Sequence, residues 1–403
     1  MESKFDKLPY SFRLFDSLEA SKDLWDFVPA PSVLLGSEYL LSLERFAPDA
    51  MKFRYVLAYK EDALIACFYF QLMPFKASER LRMASAPRKS FFSCFYQQLK
   101  KIVAKQVDFV GLINGNLLAT GPYGMKSLPT VSFNELQIIL DQLLKALFER
   151  NEEIEHASLC LIKELPVLKS FEVSETKTLS YLHSFCIQPS MILNLSSEWH
   201  NLEDYLNALQ SKYRLRIKKA FHAAEDLVHK EFDLDLLTQH QDTIYKLYFN
   251  TADGSDFNLV NLHKEYFLNI KKALGDRYRL FGFFKDHELI AFYSFMNDGD
   301  ELLGHFLGTM PENNLRYQVY FNILLKFIDF GIHGNFKRIN LARTAIEIKS
   351  SVGAVPVEMV CYLTHRNKIA NRLVPNLVQY LKPEEAYTIR NPFKRTKEKN
   401  ISS

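Results

Sequence analysis

The segment Ile339-Asn-Leu-Ala-Arg-Thr-Ala-Ile-Glu-Ile-Lys349 begins as an apolar run suited to a sheet interior, then sets down Arg343, Glu347 and Lys349 in quick succession. Charge is costly to bury unless it is paired or used. These three therefore either neutralise one another and pin a loop, or they face something that is not protein. In the second case arginine offers a two-pronged grip on a phosphate or carboxylate, glutamate a proton acceptor or a partner for an ammonium, and lysine a charge to neutralise an anion. His305 lies inside another apolar run, Leu302 to Gly308. Its intrinsic pKa of about 6.5 suits proton transfer near neutrality, and the structural alternative is a packed core histidine. A third group is basic. Lys212, Arg216 and Lys219 recur at helical spacing within 202–227, opposite an apolar stripe of Leu202, Tyr205, Leu209, Tyr213, Ile217 and Ala220. Such a face is either simply solvated or meets an acidic carrier protein, tRNA phosphates or an anionic membrane surface. The tail Ile389 to Lys399 adds positive charge.

The chain that must position these residues has 403 of them, enough for two domains of ordinary size. With 48% hydrophobic and 24% charged residues it is globular rather than disordered. Lys+Arg number 50 against 47 Asp+Glu, so the net charge of +3 does not by itself imply a nucleic-acid partner. The 33 Phe and 20 Tyr must fill cores or an apolar ligand site. The opening MESKFDKLPYSFR lacks the apolar stretch of a secretory signal, and no window approaches the ~18 uninterrupted apolar residues of a membrane span. The expectation is a cytoplasmic protein, with peripheral contact at the inner face of the membrane left open by its basic surfaces. Cys67, Cys94, Cys160, Cys186 and Cys361 are scattered without a C-x-x-C pair. That pattern argues for reduced core residues and against a zinc knuckle or a disulfide framework, and no metal is expected.

Positions 54–70 and 279–295 align without a gap at an offset of 225, sharing Arg, Lys, the Leu-Ile-Ala triplet and a final Phe. Each copy is two apolar runs around a short charged break, Lys60-Glu61-Asp62 or Lys285-Asp286-His287-Glu288, the pattern of an antiparallel hairpin. In the first half Leu117–Met125 precedes a helix over about 133–150 and then the strand HASLCLIK; in the second Leu302–Met310 precedes a helix over about 314–332 and then RINLA. Both halves thus run hairpin, strand, helix, strand. The reading is a mixed α/β chain of two duplicated domains, 1–185 and 186–403, with the seam inside Ser180–Ser190. The first half shows no convincing acid–base pair. Its Ser90–Gln98 stretch is either a buried helix or an apolar wall of a ligand site.

This order of elements is similar to the GNAT acyltransferase fold, and two tandem copies resemble the Fem-type transferases and their FemAB-like relatives. The resemblance is most specific over Leu202–Leu227, Arg316–Asn335 and Ala342–Pro356. It implies an N-acyltransferase whose sheet splays between two central parallel strands in the second domain, where main-chain groups can pair with a donor instead of with each other. No tightly bound cofactor is implied; acyl-CoA or acyl carrier protein would be the donor substrate, and the amine of a lipid or cell-envelope precursor the acceptor. On this reading His305, Glu347 and Tyr317 are the catalytic candidates, and Asn314, Arg316, Arg343, Lys349, Lys212 and Arg216 bind donor or substrate. The stretch MPENNLRY contains no glycine. It therefore departs from the Gly-rich pyrophosphate loop of coenzyme-A-binding GNATs, which leaves room for a carrier-bound donor or for aminoacyl-tRNA-dependent peptidyl transfer. A non-catalytic GNAT-like binding protein is the reading from another class, and the oligomeric state is not legible.

Overall fold

The computed structural model describes residues 9–48, 50–75, 109–166, 179–253, 261–380 and 387–394. The Ser90–Gln98 stretch and Cys94 lie outside the described residues. Two compact units are formed, one from 1–189, 252–276 and 358–384, the other from 190–251, 277–357 and 385–403. Residues 252–276 and 358–384, which a division of the sequence near 185 assigns to the second half, thus belong with the first unit. Among the described residues no helix is long and apolar enough to cross a membrane.

The first unit contributes β1 (Tyr10–Phe15), β2 (Lys52–Lys60), β3 (Ala63–Phe75), β4 (Phe109–Asn114), β5 (Met125–Ser127), β6 (Leu159–Pro166) and β7 (His183–Cys186). The second holds β8 (Ser190–Asn194), β9 (Val228–Glu231), β10 (Tyr278–Lys285), β11 (Glu288–Asp298), β12 (Glu301–Thr309), β13 (Arg338–Asn340) and β14 (Val355–Val357). The chain then returns to the first unit as β15 (Met359–His365). The first sheet runs β1-β2-β3-β4-β6-β15-β7 with β5 also on β3, and the second runs β14-β8-β13-β12-β11-β10-β9. Each sheet is antiparallel except for one central parallel pair, β4 with β6 and β12 with β13.

The repeat seen in the sequence is a repeat of register. Both hairpins close on two residues with positive φ, Glu61-Asp62 and Asp286-His287, as a primed turn requires. Arg54 lies opposite Phe70 and Arg279 opposite Phe295, and each hairpin shifts register at the same place, after Ala58 and after Phe283. In the third strand the two copies part. Between the pairs Phe295–Gly304 and Tyr293–Leu307, His305 and Phe306 face Ser294 as a two-residue bulge. Between Phe70–Asn114 and Phe68–Met125, the ten residues 115–124 face Tyr69. Asn114 secures that excursion, its Nδ2 donating to the carbonyls of Tyr69 at 3.0 Å and Gly124 at 2.7 Å. The excursion lies against β6 where β4 has ended: Lys163 Nζ donates to Ala119 O at 2.7 Å, and Gly121 N donates to Glu164 Oε2 at 2.6 Å.

One face of the second sheet buries Phe281, Tyr293, Phe295 and Leu302 against Phe321, Leu324, Phe327 and Ile328 of the Val319–His333 helix and Ile217 and Ala220 of the Ser211–Ala223 helix. At ~25 cal/mol per Å2 this apolar burial is the main force holding the unit together. Two helices expected to be continuous are broken. The basic 202–227 segment folds as Leu202–Ala208 and Ser211–Ala223, because Leu209 and Gln210 turn extended and Leu209 bridges to Phe393. The helix expected over 314–332 is Pro311–Tyr317 followed by Val319–His333, with left-handed Gln318 between. Asn314 Oδ1 accepts from Tyr320 N at 2.9 Å and Asn322 Nδ2 donates to Tyr317 O at 3.2 Å, so side chains satisfy the backbone groups the break releases. Cys67, Cys160 and Cys361 are buried as expected of reduced core residues, whereas Cys186 is exposed; none of the four forms a disulfide.

Candidate active site

β12 and β13 are hydrogen-bonded only over Glu301–Leu303 and Arg338–Asn340. Past Asn340 the chain stays with β8, Leu341 N donating to Met191 O at 2.9 Å and Met191 N to Ala342 O at 3.0 Å. β12 stays instead with β11 as far as Thr309. The two central strands therefore fork. Gly304 stands at the apex, where a Cβ would come within 2.9 Å of the Asn340 carbonyl oxygen. One residue further on is the bulge, which bends a strand and strengthens its twist. Ser294 Oγ stabilises it, donating to Phe306 O at 3.1 Å, accepting from Phe306 N at 3.2 Å and lying 3.3 Å from His305 Nδ1. Ser294→Ala leaves both Phe306 backbone groups without this partner, and it is expected to lower stability by about 2 kcal/mol, read as a fall in the urea midpoint.

A buried polar cluster lies at the base of the fork. Glu301 pairs with Arg338 and accepts from Asn340 Nδ2 at 3.1 Å, while Asn340 Oδ1 accepts from Ser190 Oγ and from Ala342 N, each at 3.0 Å. Sequence reasoning missed this cluster. Its signal was the asparagine interrupting the apolar run RINLA. At the open end, Thr251 Oγ1 accepts from Thr309 N at 3.0 Å and donates to Thr309 O at 3.3 Å. Thr309 thus presents its amide groups to the edge facing away from β11, and alternation puts those of Leu307 on the same edge. Among the described residues no strand pairs with that edge over 304–309.

Of the residues expected at the site, His305, Arg343 and Lys349 lie at the fork. His305 is half-buried, its ring edge-on to Tyr278 at 5.5 Å and to Phe306 at 4.4 Å, and desolvation pulls its pKa down to about 3. It is neutral at pH 7 and a weak proton acceptor. Lys349 is 4% exposed, and its Nζ donates to the carbonyls of Ala342 and Arg343, where β13 ends. Burial first, and the neighbouring Arg343 charge second, bring its pKa down to about 7. Arg343 is half-buried in a turn made by left-handed Ala342, Thr344 and Ala345.

The other candidates do not converge there. Glu347, in the short Ile346–Ser350 helix, points outward to Arg390 Nη2 at 3.5 Å and Thr388 N at 3.4 Å. Lys349 thus meets Arg343 through its main-chain carbonyl, while Glu347 turns to Arg390 and Thr388 instead of to Lys349. Asn314 caps the Val319–His333 helix, as described above. Tyr317 is buried in the core at 7% exposure, with the exposed Arg316 guanidinium 5.1 Å from its ring centroid. Lys212 and Arg216 are exposed, lying over the rings of Tyr213 and Phe321 at 4.9 Å each. Among the described residues no three His, Cys, Asp or Glu side chains gather as a metal site.

One central parallel strand pair in each of two duplicated units, forked past its ladder in the second, is the geometry expected of a tandem GNAT chain. Residues 171–399, more than half of the chain, match the FemAB-like family, described as peptidoglycan biosynthesis/recognition. Among solved structures FemX superposes with a TM-score of 0.54 at 11% identity, covering 90% of this chain and 100% of its own. A conserved protein of unknown function from Bacteroides thetaiotaomicron follows at TM-score 0.49 and 12% identity, covering 88% and 99%. A tandem GNAT protein from the clavulanic acid biosynthesis pathway also reaches 0.49, at 10% identity, covering 89% and 99%. No curated protein matches the sequence. The chain belongs to the FemAB-like family of acyltransferases.

Proposed function

We propose that the fork between β12 and β13 takes the acyl donor, and that the chain transfers the acyl group from a thioester or ester to the amine of a lipid or cell-envelope precursor. The edge of β12 over 304–308, which no described strand pairs and which Thr251 closes only at Thr309, supports this reading. Attack of the amine on the donor carbonyl forms a C–N bond and breaks a C–S or C–O bond, the amine's proton passing finally to the leaving thiol or hydroxyl. Main-chain amides on the open edge would stabilise the oxyanion. Lys349 would take the proton in transit: a neutral amine that donates to the Ala342 and Arg343 carbonyls keeps one lone pair, and a pKa of about 7 is near the optimum for such a role. Arg343 would hold an anionic part of the donor or acceptor.

Two donor classes compete. Acyl-CoA and acyl carrier protein share the pantetheine arm that suits an open strand edge. Aminoacyl-tRNA is favoured by the family description and by the helix after β12, which has seven residues, opens on Pro311 and contains no glycine to cradle a pyrophosphate. Thermal unfolding of the full chain with acetyl-CoA, acyl carrier protein and aminoacyl-tRNA in parallel separates them, since a ligand at ~100 times its Kd adds about 2.7 kcal/mol. Stabilisation by either of the first two supports the pantetheine reading. Stabilisation by aminoacyl-tRNA alone supports the other, and none from all three, with no labelled amide formed, overturns both.

A further inference from the structure

The Ser211–Ala223 helix has an unusual solvent face. Its sequence, SKYRLRIKKAFHA, carries Lys212, Arg214, Arg216, Lys218 and Lys219 and contains no acidic residue. Among the described residues its one ion pair is His222 with Glu225 just beyond its end, so the five lysine and arginine charges stand without a carboxylate. The inner face is set by Ile217 and Ala220, both 0% exposed. At 100° per residue, Leu215 falls diametrically opposite them, between Lys212, Lys218 and Lys219. It is 60% exposed. The helix is tied to the Val319–His333 helix, Asn322 Nδ2 donating to Ala220 O at 2.9 Å and Arg216 stacking on Phe321. The adjoining Pro311–Tyr317 helix adds a second exposed leucine, Leu315 at 83%, beside the exposed Arg316.

We infer that this face docks on the surface of an anionic lipid bilayer. Cations alone would serve a nucleic acid equally well, since phosphate contacts dominate that affinity. A large apolar side chain at the centre of the cationic face gains nothing from a phosphate backbone. It gains from the boundary between headgroups and acyl chains, where leucine is buried while the surrounding lysines stay among lipid phosphates. The inference concerns a surface and does not depend on which donor or acceptor the fork accepts.

Sedimentation of the full chain with phosphatidylcholine vesicles, with and without phosphatidylglycerol, tests it. Binding is expected only with phosphatidylglycerol, and it should weaken between about 0.1 and about 1 M salt. Lys218→Ala with Lys219→Ala should weaken it about 30-fold, at roughly 1 kcal/mol per cation. Leu215→Ser should weaken it about tenfold; all three positions are exposed, so folding is expected to survive. Failure to bind phosphatidylglycerol vesicles, or binding that Leu215→Ser leaves unchanged, overturns the proposal. Retention of bulk tRNA on a filter by both parent and Leu215→Ser, without vesicle binding, reassigns the face to nucleic acid and overturns it equally.

Discussion

Valine in place of Gly304 is expected to lower acyl-transfer turnover by about 100-fold while destabilising the chain by about 2 kcal/mol. The atom that a new side chain meets at this position, the Asn340 carbonyl oxygen at 2.9 Å from the Cβ, is main chain and cannot swing aside. β12 and β13 must separate over their short parallel ladder to make room. The Glu301–Asn340–Ser190 cluster, which spans the same seam, is then pulled out of hydrogen-bonding range. Reactive geometry is more sensitive to such a shift than folding is, because a displacement near 1 Å costs about two orders of magnitude in rate. Urea denaturation and a transfer assay on the same preparation separate the effects. Unchanged turnover in a folded Gly304→Val chain would show that the fork does not hold the reacting groups.

Lys349→Met is expected to produce the second large effect, with a signature in pH. The folded pKa is about 7 against the ordinary lysine value of 10.5. Between those values the unfolded chain binds a proton that the folded chain does not, so stability rises with pH across the window, by at most about 1.4 kcal/mol per pH unit from this group. Below about pH 7 both states carry the proton and the slope vanishes. Methionine removes the contribution that begins near pH 7 and leaves a later one from Lys126, whose pKa burial lowers to about 8. Loss of the two carbonyl contacts costs about 2 kcal/mol, and loss of the proton acceptor about 100-fold or more in turnover. Urea midpoints across the range check the first two, and a pH–rate profile checks the third. A variant with full turnover but a lowered midpoint would reduce Lys349 to a clamp on the 342–345 turn.

Hairpins were legible because their signal is local: apolar runs around charged two-residue breaks, copied at a fixed offset. The fork was anticipated only through resemblance, since nothing in Leu302–Thr309 says which neighbour it will abandon. The fate of the three charges was hidden for a specific reason. Ala342, Thr344 and Ala345 adopt positive φ, a region that residues with a Cβ enter at a cost and that no composition rule assigns to alanine or threonine. Those three angles turn Lys349 back toward the end of β13 and send Glu347 to the Arg390 side. The destination of β15 was equally silent. Its run MVCYLTH suits a buried strand in either sheet, and only the tertiary fold pairs it with β6 and β7.

The two-residue bulge and the ten-residue excursion occupy the equivalent position of the two hairpin registers with different lengths. Register is identical upstream of it, and pairing resumes on the very next facing residue downstream. A strand interrupted there can therefore grow without disturbing what lies on either side. That freedom makes the spot a natural dial for divergence between twin halves. In one unit the added chain hydrogen-bonds to the end of β6, and in the other the chain stays short where β12 and β13 diverge.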